Sequence, residues 1–464
     1  MRMTLDRDSL TLRFIAAGAV LALAWLAGCG NNNLYTYDTP AAIAVADFNG
    51  SGYPGIAVAS AQINQLEPGE QPGFVAIVLQ NTSDLGNYEP SVHFATQGNP
   101  SAIAVGSFTP GSVDLAVANV NDNSVSVLLQ TSPTSASYKP AVNVASGPKV
   151  TGTTFLTEDV AICDVNGDGY PDLVVAYQLQ QQINTTEEGL TLAGVGGGVN
   201  VMLQNASSPG TFGTYTNVGS TPTPSGLSYP NISYGVACAN LSGDTTAAPD
   251  IVMTSFTGEG DYDATEIYVG GTVSIFFHDP AHPGQFLPRV DLSVPGALRH
   301  VVIADVNGDG LPDIIVGDEG TDANGDGEPG AAVLLQNPPA SPGAQPTFAA
   351  PVFYTTYGGN GIAVGDVNGD GLPDIIIASA DPPAAEGGTG TINVLLNTPA
   401  TPGVFQAATS YEGLGNPAAV AIGSLDGKTG TLPDLAIADG TGAAVMLNET
   451  SSPGTFQAET LVGG

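Results

Sequence analysis

Three acidic loops of nine residues are the part of this chain best suited to chemistry. One reads Asp305-Val306-Asn307-Gly308-Asp309-Gly310-Leu311-Pro312-Asp313, and near-copies of it occupy 164–172 and 366–374. Oxygen-bearing side chains fall at positions 1, 3, 5 and 9, with glycine at position 6 and a main-chain carbonyl at position 7. Calcium takes hard oxygen ligands at alternate positions around a sharply turning glycine. We therefore expect at least three Ca2+ sites, with the ligands Asp164, Asn166, Asp168, Tyr170, Asp172, Asp305, Asn307, Asp309, Leu311, Asp313, Asp366, Asn368, Asp370, Leu372 and Asp374.

Short apolar runs flank each loop, such as 301–303 before and 314–316 after the second one. Runs this short and this rich in β-branched residues predict strands. An EF-hand loop would instead close with Glu at position 12 and lie between helices. The sequence therefore predicts calcium loops inside β-hairpins. A structural role is favoured over a catalytic one, because each complete loop uses its carboxylates to enclose the ion.

Other copies of the loop are incomplete. The first has Gly55 at the closing position, which predicts a weak or empty site, and the copy near residue 240 has a displaced Asp250. The copies at 107–114 and 424–434 have lost most ligands. An additional loop near residue 325 lacks a closing acid. The weaker ligand candidates are Asp47, Asn49 and Ser51 in the first copy, and Asp322, Asn324, Asp326 and Glu328 in the additional loop.

The strand–loop–strand unit recurs seven times between residues 40 and 464, each time followed by an alternating apolar strand and an aromatic residue after a turn. Each repeat supplies four strands, and no helix-period segment intervenes. Since one such unit cannot bury both of its faces, seven in tandem predict an all-β fold: a seven-bladed β-propeller of four-stranded blades, with the calcium loops between strands 1 and 2. The alternative is an array of β-sandwiches.

With its Asp-x-Asn-Gly-Asp-Gly-x-Pro-Asp loop, the repeat resembles the FG-GAP/VCBS repeat family, which includes the propellers of integrin α chains. The resemblance covers about 40–464, although the Phe-Gly and Gly-Ala-Pro signatures that name the family are mostly absent. This pattern is closer to bacterial members than to an integrin. The resemblance implies the propeller fold and bound calcium, and it says little about the ligand.

The first 28 residues are expected to be a signal peptide. Arg2, Arg7 and Arg13 precede an apolar run at 14–27 that is too short to span a bilayer. Its end, Leu26-Ala27-Gly28-Cys29, resembles a bacterial lipobox, which implies cleavage before Cys29 and lipidation of its sulfur. Residues 29–39 would then be a tether. We expect an exported protein, lipid-anchored to the outer membrane or cell surface; an ordinary secretory signal is the alternative.

The formal charge of −36 excludes nucleic acid as a partner, because few cations remain to neutralise phosphates. Contact with the membrane is expected only through the lipid anchor, and the chain is expected to be a monomer. Cys163 and Cys238 precede their loops on adjacent inner strands. A disulfide in an oxidising compartment and two separate buried thiols are both compatible with the sequence.

Long insertions lie mostly on the propeller face opposite the calcium loops, where repeat proteins usually bind ligands. Residues that begin the innermost strands should surround the mouth of the central channel there. Most are small, but the ligand-binding candidates are Glu158, Asp159, Tyr234, Arg299, His300 and Asn360. The alternative is that these residues have no ligand-binding role and only form polar, solvated ends of loops.

No Ser-His-Asp or His-x-His arrangement is evident. We therefore expect a non-catalytic binding or adhesion module for carbohydrate or protein on the long-loop face. Arg299 and His300 near Glu158 and Asp159 would suit lyase-type acid–base chemistry, so a secreted polysaccharide-degrading lyase or hydrolase is the first alternative. A structural or assembly lipoprotein is the second.

Overall fold

The computed structural model describes residues 36–64, 73–149, 153–185, 189–220, 232–242, 248–259, 267–320, 329–339, 345–356, 358–380, 389–428, 432–440 and 442–462. These ranges contain no helix long and apolar enough to span a membrane. The proposed signal peptide, Cys29 and the additional loop carrying Asp322, Asn324, Asp326 and Glu328 lie outside them.

Seven four-stranded antiparallel sheets follow one another along the chain, each built from one continuous stretch. Blade 1 contains β1 (Thr36–Ala46), β2 (Gly55–Asn64), β3 (Gly73–Val78) and β4 (Val92–Thr96). Blade 2 contains β5 (Pro100–Gly106), β6 (Asp114–Asn119), β7 (Ser124–Leu128) and β10 (Val142–Ala145), with the small hairpin β8 (Gln130–Ser132) and β9 (Ser135–Tyr138) between its last two strands. Blade 3 contains β11 (Thr153–Cys163), β12 (Asp172–Thr185), β13 (Gly189–Met202) and β14 (Thr216–Ser220).

The remaining four blades repeat this order. Blade 4 contains β15 (Ile232–Ala239), β16 (Asp250–Glu259), β17 (Ile267–Phe276) and β18 (Val290–Val294). Blade 5 contains β19 (Leu298–Ala304), β20 (Asp313–Asp318), β21 (Gly330–Leu334) and β24 (Val352–Thr355), with the hairpin β22 (Gln336–Asn337) and β23 (Thr347–Phe348). Blade 6 contains β25 (Gly361–Gly365), β26 (Asp374–Ser379), β27 (Gly390–Leu395) and β28 (Thr409–Leu414), and blade 7 contains β29 (Ala419–Gly423), β30 (Asp434–Asp439), β31 (Gly442–Met446) and β32 (Thr460–Val462).

Hydrophobic packing joins the sheets into a ring. In the described part of the chain, one hydrophobic cluster fills each of the seven interfaces between neighbouring blades. Second strands such as β20 and β26 are buried along their whole length, because both faces pack against neighbours. This explains why these strands are continuous apolar runs rather than alternating ones. The predicted seven-bladed propeller is confirmed, and an array of separate sandwiches is not what forms.

The ring closes by packing of blade 7 against blade 1, and the described strands of each of these two blades come from one continuous stretch of chain. Ile43, Ile56 and Val58 of blade 1 share a core with Leu425 and Ala436 of the last repeat. Across this interface, Gln80 Nε2 donates to the carbonyl of Ser424 at 2.9 Å, and the Tyr88 hydroxyl donates to that of Leu425 at 2.8 Å. Thr36 and Tyr37 extend β1 and pair with β2, so they form no separate edge strand.

A disulfide between Cys163 and Cys238 joins the innermost strands β11 and β15 of blades 3 and 4. It resolves the two possibilities that the sequence left open. The bond spans 75 residues of chain and lies next to the hydrophobic cluster that both cysteines border.

Candidate functional site

The three acidic loops share one hydrogen-bonded conformation. In the loop at 305–313, Asp305 accepts backbone N–H bonds from Asp309 at 3.2 Å and from Gly310 at 2.8 Å. Gly308 and Gly310 have φ values of +73° and +85°, which side-chain-bearing residues rarely adopt. The glycines at positions 4 and 6 therefore let the first carboxylate collect the amides of the turn. The loops at 164–172 and 366–374 repeat this arrangement.

Oxygen atoms at positions 1, 3 and 5 face the same turn. Asn307 Oδ1 accepts from the amide of Asp309 at 2.9 Å, and its Nδ2 donates to that carboxylate at 3.1 Å. A set made only of carboxylate, amide and carbonyl oxygens is the chemistry that calcium selects, so the composition of the loops fits that ion. In the part of the chain that is described, however, no three or more His, Cys, Asp or Glu side chains converge as a metal-binding group.

The ninth-position aspartates have a structural role that the sequence analysis missed. Asp313 is fully buried, and its two oxygens accept backbone N–H bonds from Val306 at 3.0 Å and from Gln336 at 2.8 Å. It thus connects the loop to the end of the third strand. An equivalent carboxylate occurs in blades 2, 4 and 7, whose loops lack a complete ligand set. The six aspartates of this kind are Asp114, Asp172, Asp250, Asp313, Asp374 and Asp434.

Blade 1 keeps the loop conformation without that aspartate. Asp47 accepts from the amides of Ser51 at 3.0 Å and Gly52 at 2.7 Å, and Asn49 accepts from Ser51 at 3.2 Å. At the ninth position, a side chain on Gly55 would come within 2.8 Å of the carbonyl of Val78 and would also meet Phe48. Close packing therefore explains why glycine stands there.

At the opposite end of the blades, where the channel mouth is expected, the pairing of the first strand with the second is irregular. The register between the first and second strands shifts at Thr157/Asp159 in blade 3, at Ser233/Val236 in blade 4 and at Leu298/Val301 in blade 5. Such bulges insert extra residues and re-aim their side chains. The inserted positions carry Glu158, Tyr234 and Arg299, three of the ligand candidates expected from sequence.

Six polar or aromatic side chains from four blades meet there. We call them the mouth cluster; its members are Glu158, Gln178, Tyr234, Arg299, Glu319 and Asn360. The Arg299 guanidinium lies over Tyr234, with Cζ 3.9 Å from the ring centroid, and one of its nitrogens is 2.7 Å from Glu319 Oε2. Asn360 Nδ2 donates to the other Glu319 oxygen at 3.1 Å.

Gln178 of blade 3 links Glu158 to Tyr234 of blade 4 by hydrogen-bonding to both. It was not predicted from sequence, and neither was Glu319. Gln178 lies in the middle of the second strand of blade 3, β12, and Glu319 directly follows the second strand of blade 5, β20. The register of the second strand against the first could have indicated them, had the bulges been known.

Burial changes the acid–base properties of the cluster. It raises the pKa of Glu158 to about 8, an effect that the nearby positive charge of Arg299 partly opposes. Burial also raises the pKa of Tyr234. Glu158 is therefore largely protonated near neutral pH, while Arg299 and Glu319 form an ion pair.

Two predicted candidates are placed differently. The Asp159 carboxylate accepts the backbone amides of Val160 and Val236, at 2.8 and 2.9 Å, and so ties blade 3 to blade 4. Burial raises its pKa to about 6. For His300, burial and then the charge of Arg299 lower the pKa to about 4, so its imidazole is neutral at physiological pH.

Aromatic side chains near the mouth are mostly enclosed. Phe256 is 2% exposed and lies parallel to Tyr234, with centroids 5.1 Å apart. Tyr177 is buried and stacks on Phe155 at 4.4 Å. Among these four, only Tyr234 is partly accessible, and Arg299 lies over its ring.

A separate cavity of about 450 Å3 lies far from this cluster, between the outer parts of blades 1 and 2. His93, Phe94 and Thr96 line it on one side, and Tyr138, Lys139 and Asn143 on the other. The mouth cluster, rather than this cavity, joins charged, amide and aromatic groups from several blades, and it is the candidate functional site.

Comparisons with known proteins agree with the repeat architecture. A family model described as FG-GAP repeat matches residues 157–188 and 358–395, which include the acidic loops of blades 3 and 6. No curated protein matches the sequence.

Among solved structures, rhamnogalacturonan lyase YesW is 13% identical over 88% of this chain, with a TM-score of 0.36, and the chain spans 66% of its length. The Bacillus licheniformis rhamnogalacturonan lyase PL11 is 12% identical, with a TM-score of 0.33, over 80% of this chain and 72% of that one. Saccharomyces cerevisiae Sqt1 is 9% identical, with a TM-score of 0.27, over 82% and 97%. Likenesses this distant carry no argument about activity. From its sheet order and its matched repeats, this chain is a seven-bladed β-propeller that contains FG-GAP repeats.

Proposed function

We propose that this protein is a cell-envelope lipoprotein whose calcium-stabilised propeller binds a carbohydrate at the channel mouth without cleaving it. The observation that carries the proposal is the mouth cluster itself. Strand bulges in three successive blades direct Glu158, Tyr234 and Arg299 to one place, where Glu319 and Asn360 join them. Ligand sites typically combine a few convergent polar groups with apolar walls.

Binding is favoured over catalysis because most groups that could transfer protons already have structural partners. Asp159 accepts two backbone amides, and Arg299 is paired with Glu319. His300 remains neutral because of its low pKa. These contacts therefore do not provide an accessible pair of groups matched for general acid–base catalysis.

One observation favours the enzyme alternative. Glu158 has a pKa of about 8 beside Arg299 and Tyr234, and a carboxyl group protonated near neutral pH is a general-acid candidate. A polysaccharide-degrading activity is therefore the second candidate function.

Calcium and the envelope location rest on the sequence. The loop oxygens fit calcium, and an exported protein meets that ion at concentrations that suit weak sites. The segment 1–28 and the Leu26-Ala27-Gly28-Cys29 motif support export and lipid anchoring.

The test is to incubate the calcium-loaded mature protein with immobilised polysaccharides and to measure both retention and newly formed chain ends. Retention that Asn360→Ala weakens, without new chain ends, supports the binding module. If wild-type protein forms new chain ends and Glu158→Gln does not, the protein is a polysaccharide-degrading enzyme rather than a binding module. Capture of proteins but of no polysaccharide would contradict the carbohydrate assignment.

A further inference from the structure

The charges around the mouth cluster restrict the ligand. Arg299 is the only cationic side chain in the cluster, and its partner Glu319 neutralises it at 2.7 Å. The adjacent imidazole of His300 is neutral because its pKa is lowered to about 4. Two buried acids lie next to the pair: Glu158 near Arg299 on the blade 3 side, and Asp318 near Glu319 on β20. No uncompensated positive charge is therefore available in the cluster for an anionic ligand.

The whole molecule reinforces this local balance. Its formal charge is −36, with 44 acidic against 8 basic residues. A field of this sign lowers the local concentration of anions and slows their association. Acidic polysaccharides such as those made of uronic acids are therefore disfavoured at this face.

The enclosed aromatic rings restrict the ligand further. Of the described aromatic side chains next to the cluster, Phe155, Tyr177 and Phe256 are at most 6% exposed, and Arg299 Cζ lies 3.9 Å from the centroid of Tyr234. Face-on stacking of a sugar ring on an open aromatic surface is therefore not how this site would hold its ligand.

Planar hydrogen-bonding groups remain. Arg299, Glu319 and Asn360 form a row in which each Glu319 oxygen already accepts one bond, from Arg299 or from Asn360. A carboxylate oxygen accepts two, so Glu319 retains one acceptor position on each oxygen. The side chain of Glu319 is 29% exposed, so ligand hydroxyl groups can reach those positions. Two neighbouring acceptors match two adjacent hydroxyl groups.

We propose that the ligand at the channel mouth is an uncharged carbohydrate, held through adjacent hydroxyl groups by Glu319 with Arg299 and Asn360. This inference rests on the proposed function, since it specifies the ligand of the same site. The hydroxyl groups of the sugar donate hydrogen bonds to the Glu319 carboxylate, and the N–H groups of Arg299 and Asn360 orient that carboxylate. A uronate would place a second carboxylate against Glu319, and the single cation of the cluster, Arg299, is already paired with Glu319.

The experiment measures retention of the calcium-loaded protein on neutral polymers (mannan, galactan, xylan, dextran) and on acidic ones (polygalacturonate, alginate). The variants are Glu319→Gln and Asn360→Ala. The matched control is Arg289→Gln, which removes a charge that is paired with Asp291 on the outer strand of blade 4. Melting temperatures verify that each variant is folded.

We expect a neutral polymer to be retained and its affinity to fall about tenfold in Glu319→Gln, which replaces one acceptor by a donor, as the loss of one good hydrogen bond implies. Asn360→Ala should weaken retention less, and Arg289→Gln should leave it unchanged. Retention of an acidic polymer that depends on Glu319 or Asn360 would overturn the ligand class but leave the proposed binding site intact. No retention of any polymer, or retention that neither mouth variant alters, would reject both.

Discussion

At the residue scale, six buried aspartates connect the parts of each repeat. One of them lies at the start of the second strand in each of blades 2 to 7. Each accepts amides from the preceding loop and from the end of the third strand, as Asp313 does from Val306 and Gln336. Their presence in blades with incomplete loops separates this role from ion binding. A carboxylate that bonds to buried amides replaces the water they lose on folding.

Asp114→Ala tests this role in blade 2, which lacks the complete ligand set. The substitution would leave the buried amides of Phe108 and Gln130 without their acceptor. We expect the free energy of unfolding to fall by about 3 kcal/mol, measured by urea denaturation. The loss should be the same with calcium and with EDTA, while Asp84→Ala at an exposed site should change stability little. A loss seen only with calcium would show that Asp114 acts through an ion.

Glu158 should make stability depend on pH. Its pKa is about 8 in the folded protein against an ordinary value of 4.5, so the folded state binds the extra proton between these pH values. The contribution of Glu158 to the free energy of unfolding is therefore complete below pH 4.5. It is lost as the pH rises to 8, by up to about 1.4 kcal/mol per pH unit.

Glu158→Gln should remove that slope, because glutamine stays neutral and keeps the shape of the acid. The measurement is the difference in unfolding free energy between the two proteins from pH 6.5 to 8. Asp172, with a pKa of about 7, and Asp159 and Asp318, with pKa values of about 6, are present in both proteins, so their titration is common to both curves. Exposed Glu412→Gln is the control. Parallel curves for wild type and Glu158→Gln would show that Glu158 is ionised throughout.

At the scale of elements, neighbouring blades are joined by side-chain amides as well as by apolar packing. Asn397 Nδ2 donates at 2.7 Å to the carbonyl of Val306, which lies in the acidic loop of the preceding blade. Asn448 makes the same contact with Val367. The loops of blades 5 and 6 are thus part of the interfaces to blades 6 and 7. Ordering of one loop therefore stabilises its own blade and its contact with the next blade.

The Cys163–Cys238 disulfide fixes another such interface. It closes 75 residues of chain, and in the loop-entropy account such a cross-link stabilises the folded state by about 4 kcal/mol. The double variant Cys163→Ser, Cys238→Ser should lower the melting temperature by several degrees. Thiol labelling of the unfolded, unreduced wild type should detect neither cysteine; labelling of both would contradict the bond.

The whole molecule is a ring of seven interfaces, and its charge of −36 makes it responsive to cations. If the loops bind calcium in the folded state only, a concentration 100 times the dissociation constant stabilises each site by about 2.7 kcal/mol. We expect calcium to raise the melting temperature and EDTA to lower it.

Asp309→Ala with Asp370→Ala should remove much of the calcium-dependent gain, since each deletes a carboxylate at position 5 of a complete loop. The charge-matched control is Asp84→Asn with Glu412→Gln, which removes two exposed acids outside the loops. Magnesium at the same concentration separates site binding from general screening of negative charge. An unchanged melting temperature on chelation would contradict the calcium assignment.

The sequence by itself determined the fold, because seven repeats with apolar runs of strand length allow few other ways to bury both faces of each sheet. It also located the acidic loops and Glu158, Tyr234, Arg299 and Asn360, since these follow from position within a repeat. Only the tertiary structure decided which of them meet. Bulges shift the pairing by a residue, and Gln178 and Glu319 enter the cluster from a different strand. The same holds for Asp159, which accepts a backbone amide from the neighbouring blade, and for His300, whose imidazole is buried; local sequence specifies neither environment.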